Sequence, residues 1–243
     1  MIILIKNEFK KFSNSYINIV SLLAMLFPVV FTFIVYHFSG DKMMGNDWAA
    51  YTASLHLFYG VFLGGLIPSF IAIFSIYYEF KEGTIKNLLT SPHSKLKIIL
   101  SKILYVCLFI ALMYTIIAVL VVVSGLMLGF DSSASAILNS LKFVIIPGLS
   151  TIVFVPMMVF LTLLFKSFIP PLVFALIGTI AGLPLLNLGK AYYYPWTIPS
   201  NFFFKLRLTQ PVSFLSPIIL LSVYFSIFLV FSTIMFYRMD ARS

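Results

Sequence analysis

Charged residues are scarce in this sequence. Asp, Glu, Lys and Arg make up 9% of its 243 residues, whereas about a quarter is usual in soluble proteins. Six runs of at least 23 residues carry no charge: Phe12–Gly40, Trp48–Tyr78, Ile103–Phe130, Phe143–Phe165, Ser167–Gly189 and Leu208–Tyr237. Because about 20 apolar residues cross a bilayer as a helix, the sequence predicts six transmembrane helices without buried charge.

The residues that most catalytic and cofactor sites need are also missing. The single cysteine, Cys107, lies inside the third run, which excludes an internal disulfide or a cysteine metal cluster. The sequence contains no Gly-x4-Gly-Lys-Ser/Thr loop for ATP phosphates and no His, Asp and Glu set with metal or acid–base spacing. We therefore expect no enzyme activity and no cofactor bound by this chain. The uncharged spans also argue against an ion-coupled transporter.

The six runs leave little sequence for a separate soluble domain. Residues 1–243 are therefore expected to form one all-α membrane domain. Eleven of the 16 lysines and arginines lie before the first run, between the second and third, at Lys166 and at the C-terminus. Since positive charge concentrates on the cytoplasmic side, both ends of the chain are predicted to be cytoplasmic. The net charge of +9 then indicates contact with the lipid surface rather than with nucleic acid.

An amphipathic segment within residues 1–16 precedes the first run. Ile2, Ile5, Phe9 and Phe12 recur there at helical spacing between lysines. This pattern predicts a helix that lies on the membrane, with lipid headgroups around its apolar side. A cytoplasmic extension of the first span is the alternative interpretation.

Residues 79–97 form the only substantial cytoplasmic loop predicted. Ile85, Leu88 and Leu89 fall on one face of a short helical pattern, and Thr84 is placed to cap it. A helix of one or two turns is not stable alone in water, so this face needs lipid headgroups or a partner protein. A solvated loop whose lysines only fix orientation is the alternative.

These features resemble the permeases of ABC-2-type transporters. The likeness rests on Glu82-Gly83-Thr84, Leu88-Leu89, Ser91-Pro92 and Lys102, within a six-span layout that begins with a basic helix. The small size, the absence of a fused domain and the Tyr-Tyr-Tyr-Pro-Trp segment look most like permeases of bacitracin-export and lantibiotic-immunity transporters. The resemblance implies a bacterial plasma membrane and a coupling helix seated in a separate ATPase subunit, which binds ATP and Mg. The coupling residues would be Glu79, Glu82, Gly83, Thr84, Ile85, Leu88, Leu89 and Pro92.

An aromatic segment precedes the last run. Residues 189–213 are predicted to be extracellular, and they include Tyr192, Tyr193, Tyr194, Trp196, Phe202 and Phe203. Because Tyr and Trp favour the membrane–water interface, an aromatic belt or a re-entrant element is one interpretation. The other is an outer gate or lid that touches an amphipathic peptide.

The function that the resemblance implies is the permease subunit of an ATP-driven exporter. Its cargo would be a peptide antibiotic or another amphipathic molecule, and a second copy or a paralogue would complete the pathway. Two alternatives stay open. One is an exporter of a different cargo, such as a toxin peptide or a lipid-linked polysaccharide. The other is a structural or regulatory membrane protein that does not transport.

Overall fold

The computed structural model describes residues 1–13, 15–39, 47–185, 193–207 and 215–239. Within these ranges the chain is helical, with no strand. The α-helices are α1 (Ile2–Ser13), α2 (Tyr16–Ser39), α3 (Trp48–His56), α4 (Gly64–Lys81), α5 (Ile85–Leu89), α6 (Lys95–Met127), α7 (Ala134–Ser150), α8 (Phe154–Phe165), α9 (Ile169–Leu185), α10 (Ile198–Arg207) and α11 (Leu215–Arg238).

Five helical stretches are long and apolar enough to cross a membrane. They are Tyr16–Phe38, Trp48–Lys81, Lys95–Met127, Ala134–Phe165 and Leu215–Arg238. α9 is equally apolar but has 17 residues, which span about 25 Å at the rise of an α-helix. The predicted multi-pass all-α fold is confirmed, with five to six spanning helices. Residues 186–189 of the fifth charge-free run lie outside the described ranges.

Residues 131–142 lie between the third and fourth charge-free runs, where an outer loop is expected, but most of them are helical. Helix α7 begins at Ala134, so Lys142 lies within a helix rather than at its start. Ser133 caps this helix by accepting a hydrogen bond from the Ala136 amide (3.3 Å). Asp131 accepts hydrogen bonds from the hydroxyl and amide of Ser133, which lower the pKa of this carboxyl group. Because Lys142 is exposed, the first part of α7 can lie outside the lipid. The charge-free run Phe143–Phe165 therefore begins later than the helix that contains it.

Two of the long helices change geometry near a proline. A π-helical segment, Leu57–Leu63, joins α3 to α4, and Pro68 follows within α4. A 3₁₀ turn, Thr151–Val153, joins α7 to α8 just before Pro156. Proline lacks the amide that would bond four residues back, so the preceding turn must find another hydrogen-bonding pattern. The fourth predicted span is thus two helices joined by a tight turn.

The bundle has two distinct ends, which the polar contacts identify. At the first, Lys95 Nζ donates to the Met239 carbonyl oxygen (2.6 Å), and Lys11 reaches Glu79 across 68 residues of sequence. We call this the lysine-rich end. At the far end, Trp48 Nε1 donates to the Asp131 carbonyl oxygen (2.8 Å). The segments predicted to be cytoplasmic therefore meet at one end of the molecule.

Helix α8 occupies the centre of the bundle. It packs against α4, α6, α9 and α11, and every residue from Phe154 to Val159 is buried. Helix association within lipid depends on such close packing, because the lipid tails are as apolar as the side chains. The buried centre holds the surrounding helices in position relative to one another.

Candidate functional site

The candidate site lies at the lysine-rich end, where α4 gives way to α5. Helix α4 ends at Lys81, and the Glu82 amide donates to the Tyr78 carbonyl oxygen (3.0 Å). Gly83 follows in the left-handed region, with φ of +67°. A side chain is disfavoured there, so glycine lets the chain reverse at this point. Gly83 thus separates α4 from α5, and the predicted short helix is confirmed.

The carboxylate of Glu79 joins three parts of the chain. Its Oε1 accepts hydrogen bonds from Lys102 Nζ (2.5 Å) and Lys11 Nζ (2.6 Å). Its Oε2 accepts one from the Thr84 hydroxyl. Lys102 Nζ also donates to Glu8 Oε1 (2.9 Å). We call Glu8, Lys11, Glu79 and Lys102 the ion cluster; it connects α1, α4 and α6 and holds the first residue after the glycine turn.

The ion cluster overturns the expectation of spans without buried charge. Glu79 is 1% exposed and Lys102 is fully buried, although each belongs to a long apolar helix. Two acids and two lysines balance each other, and charge-assisted hydrogen bonds offset part of the cost of leaving water. The ion cluster thus links α1, α4 and α6 through hydrogen bonds between charged groups.

Helix α1 is packed against the protein as well as amphipathic. Phe12 is 2% exposed, and its ring stacks on Tyr105 of α6, 5.4 Å away between ring centroids. Phe9 meets the same ring edge-on at 4.9 Å. Ile2 is 82% exposed. The predicted apolar stripe is therefore divided: its C-terminal half contacts α6, and its N-terminal half is free to contact lipid.

Helix α5 turns its apolar face toward this bundle. Ile85 is 8% exposed, and the half-buried Leu88 and Leu89 pack against the core. This chain therefore covers part of the face itself, and contact of the remaining surface with lipid or a partner stays a prediction. Thr84 makes no side-chain cap on α5. Its hydroxyl is used by Glu79 instead.

The outward surface of this turn is polar. The exposed residues are Glu82, Gly83, Lys86, Asn87, Thr90 and Pro92. Of the predicted coupling residues, Glu82, Gly83 and Pro92 are therefore accessible to another protein. Sequence reasoning missed Glu8 and Lys11, which lie 94 and 68 residues from their partners. One usable signal was Lys102, a lysine seven residues inside an apolar helix, where a partner is needed.

Within its described residues, most of the aromatic segment enters the bundle instead of forming an outer belt. Trp196 is 8% and Phe202 3% exposed. The Trp196 ring packs against Phe154 of α8 at 5.1 Å and Phe174 of α9 at 5.7 Å. Tyr193 is the exposed member, at 68%. Tyr192 and the side chain of Phe203 lie outside the described part of the chain.

Hydrogen bonds from side-chain hydroxyls to backbone carbonyls place this re-entrant segment, residues 193–202, deep within the bundle. Ser200 donates to the Gly60 carbonyl oxygen (2.8 Å), and Tyr194 donates to that of Gly178 (2.8 Å). Gly60 follows Trp48 by 12 residues, or about 18 Å along the helix. The segment therefore reaches well below the far end, as a re-entrant element does. No group of three or more potential metal ligands occurs in the described ranges.

Comparisons with known proteins bear on this arrangement. A family model described as ABC-2 family transporter protein matches residues 4–182, well over half of the chain. The chain belongs to this family. A bacitracin transport permease protein from Bacillus licheniformis is 32% identical over 142 residues. That alignment covers 58% of this chain and 66% of the relative, slightly less than two thirds of the latter's length.

Membership of the ABC-2 family confirms the predicted resemblance to the permeases of ABC-2-type transporters. The matched range contains the ion cluster and α5. It ends at residue 182, before the re-entrant segment and α11. The roles of individual residues in coupling stay predictions.

Proposed function

We propose that this ABC-2 permease is energised by a separate ATPase subunit through α5, and that it exports a peptide antibiotic or another amphipathic molecule. The ion cluster carries this proposal. It fastens the turn before α5 to α1 and α6 through hydrogen bonds of 2.5–2.9 Å between charged groups. A displacement of α5 would therefore be passed to α1 and to α6, and α6 runs the length of the bundle.

The ATPase would dock on the outward surface of α5. Lys86, Asn87 and Thr90 are exposed there, while the apolar face is held by this chain. A helix already seated on the bundle can move as a rigid part of it, whereas a loosely attached loop would absorb the motion. The lysine-rich end, with this surface, would then face the cytoplasm.

The cargo is inferred from the bacitracin permease relative and from the predominantly apolar spans. Export out of the membrane or the cell would confer resistance or immunity. The re-entrant segment would close the pathway at the far end, since Trp196 and Phe202 are buried between helices and would have to move for cargo to pass. A second permease copy, or a paralogue, would supply the other half of the pathway.

Co-purification from native membranes tests the proposal. We expect the tagged full-length chain to retain a P-loop ATPase, and the gene to raise the bacitracin concentration that permits growth. The double variant Lys86→Glu/Asn87→Arg should lose most of the ATPase and the resistance. Asn139→Arg/Lys142→Glu is the matched control, because both residues are exposed at the far end of the bundle.

Each result separates one part of the proposal from the rest. An ATPase-free native preparation would overturn ATP-driven transport and favour a structural or regulatory role. Full ATPase retention and resistance in the α5 variant would refute docking through α5. ATPase retention with no peptide resistance would point to another cargo, such as a toxin peptide or a lipid-linked polysaccharide.

A further inference from the structure

A groove opens beside the ion cluster, between α1, α2 and α6. Its volume is about 550 Å³, within the roughly 300–1,000 Å³ of small-molecule sites. Asn18 lines the groove, and its Nδ2 donates hydrogen bonds to the Phe12 carbonyl oxygen (2.8 Å) and the Tyr105 hydroxyl (3.1 Å). These hydrogen bonds hold α1 and α2 at a set angle against α6, so the groove is built into the fold.

One end of the groove is basic. Lys6 and Lys10 line it from α1, where a spacing of four residues places them on the same helix face. No Asp or Glu occurs among the described residues that line it. Glu8 contacts Lys102 and Lys11 contacts Glu79, so these two residues of α1 belong to the ion cluster. The mouth of the groove therefore favours an anion.

The rest of the groove is apolar and runs along α6. Phe109, Leu112 and Ile116 line it there, with Ile19 and Leu22 of α2 on the other side. Glu8 bonds Lys102, so α1 crosses α6 near that residue. Ile116 is 14 residues further on, or about 21 Å along the helix. One leaflet of hydrocarbon is about 15 Å thick, so this wall is long enough for an acyl chain.

We propose that this groove binds one anionic phospholipid from the leaflet at the lysine-rich end. The phosphodiester lies between Lys6 and Lys10, and an acyl chain follows α6 past Phe109 and Leu112. The basic mouth and the apolar wall are complementary to the two parts of such a lipid. A soluble anion would use only the mouth, and a zwitterionic lipid would lose the net attraction to the lysines. This site is independent of the proposed cargo and of the ATPase.

Native mass spectrometry of the purified full-length chain tests the site, with phosphatidylglycerol and phosphatidylcholine of equal chain length as probes. We expect one phosphatidylglycerol to bind about 10-fold or more tightly than phosphatidylcholine, because each lysine near an anionic headgroup adds roughly 1 kcal/mol. Lys6→Gln/Lys10→Gln should abolish that preference, and Lys6→Arg/Lys10→Arg should keep it. The matched control is Lys86→Gln/Lys97→Gln, two exposed lysines outside the groove.

A second pair of variants tests the apolar wall. Leu112→Trp should reduce binding of both lipids by filling the groove. Leu176→Trp, on an exposed position of α9, should not. Equal affinity for the two lipids, or a preference that survives Lys6→Gln/Lys10→Gln, would overturn the proposal in favour of an ordinary lipid annulus. So would undiminished binding in Leu112→Trp, or binding of dihexanoyl phosphatidylglycerol as tightly as the long-chain lipid.

Discussion

Some single residues connect several distant parts of this chain through hydrogen bonds. Glu79 accepts hydrogen bonds from Lys11, Lys102 and Thr84, so both of its oxygens are occupied. A buried ion pair adds little net stability when compared with apolar side chains of the same volume. Breaking one is costly, because the partner is left charged in a medium that solvates it poorly. The ion cluster is thus expected to behave as a unit when mutated.

A double-mutant cycle measures this interdependence. Glu79→Gln should lower the free energy of unfolding by about 3–5 kcal/mol, because it leaves the buried Lys102 ammonium group without its shortest contact. Glu79→Gln/Lys102→Met should be clearly less destabilised than the sum of the two single variants. Thermal unfolding in detergent gives the comparison. Lys97→Met is the control on the same helix, since Lys97 is exposed. Additive effects would show that Glu79 and Lys102 do not interact.

The Trp196 ring depends on a glycine of α9 for the space that it occupies. A Cβ built on Gly178 would lie 2.5 Å from Trp196 Cε2, whereas one on Gly182 would meet nothing closer than 3.5 Å. We expect Gly178→Ala to destabilise the protein by about 1–3 kcal/mol through overpacking. Gly182→Ala should be neutral or stabilising, because alanine favours the helix. If both variants unfold at the same temperature, Trp196 is not seated on this face of α9.

At the scale of elements, α5 shows what sequence patterns reveal and what they leave out. The spacing of Ile85, Leu88 and Leu89 predicted both the helix and its apolar face, and both are confirmed. The choice of what covers that face could not be predicted, because the covering surface comes from residues distant in sequence. The same limit applied to Trp196, because a tryptophan side chain is equally suited to an interfacial belt. Burial of Lys102 went unrecognised because charge counting treats lysine as a helix boundary.

Helix α5 should transmit motion only while the Thr84 hydroxyl holds it to Glu79. We expect Thr84→Val to keep the protein folded but to lower its free energy of unfolding by about 1–3 kcal/mol, because the buried Glu79 loses the hydroxyl that bonds to its Oε2. ATP hydrolysis by the co-purified ATPase should continue, with bacitracin resistance lowered several-fold. Thr84→Ser retains the hydroxyl and should retain resistance. Equal resistance in the two variants would show that this hydrogen bond plays no part in coupling.

At the scale of the molecule, charge distribution and helix count together determine a topology. The order of the spans, and their number to within one, could be read from the charge-free runs, because lipid excludes charge wherever a helix faces it. The helix boundaries could not, since Lys142 lies within a helix and residues 193–202 turn back inside the bundle. Neither the early start of α7 nor the re-entrant segment changes which segments lie at the same end of the bundle. At the lysine-rich end Lys11 connects α1 to α4, and Lys95 connects α6 to the end of α11.

Cysteine labelling determines which end faces the cytoplasm. In a Cys107→Ser background, Lys142→Cys should react with a membrane-impermeant maleimide in intact cells, because it is exposed at the far end. Lys97→Cys, exposed at the lysine-rich end, should react only after the cells are permeabilised. Cys107→Ser alone is the blank, and labelling after detergent denaturation confirms that each thiol is present. The reverse pattern would invert the molecule and move α5 out of reach of a cytoplasmic ATPase. Reaction of both thiols in intact cells would contradict the separation of the two ends.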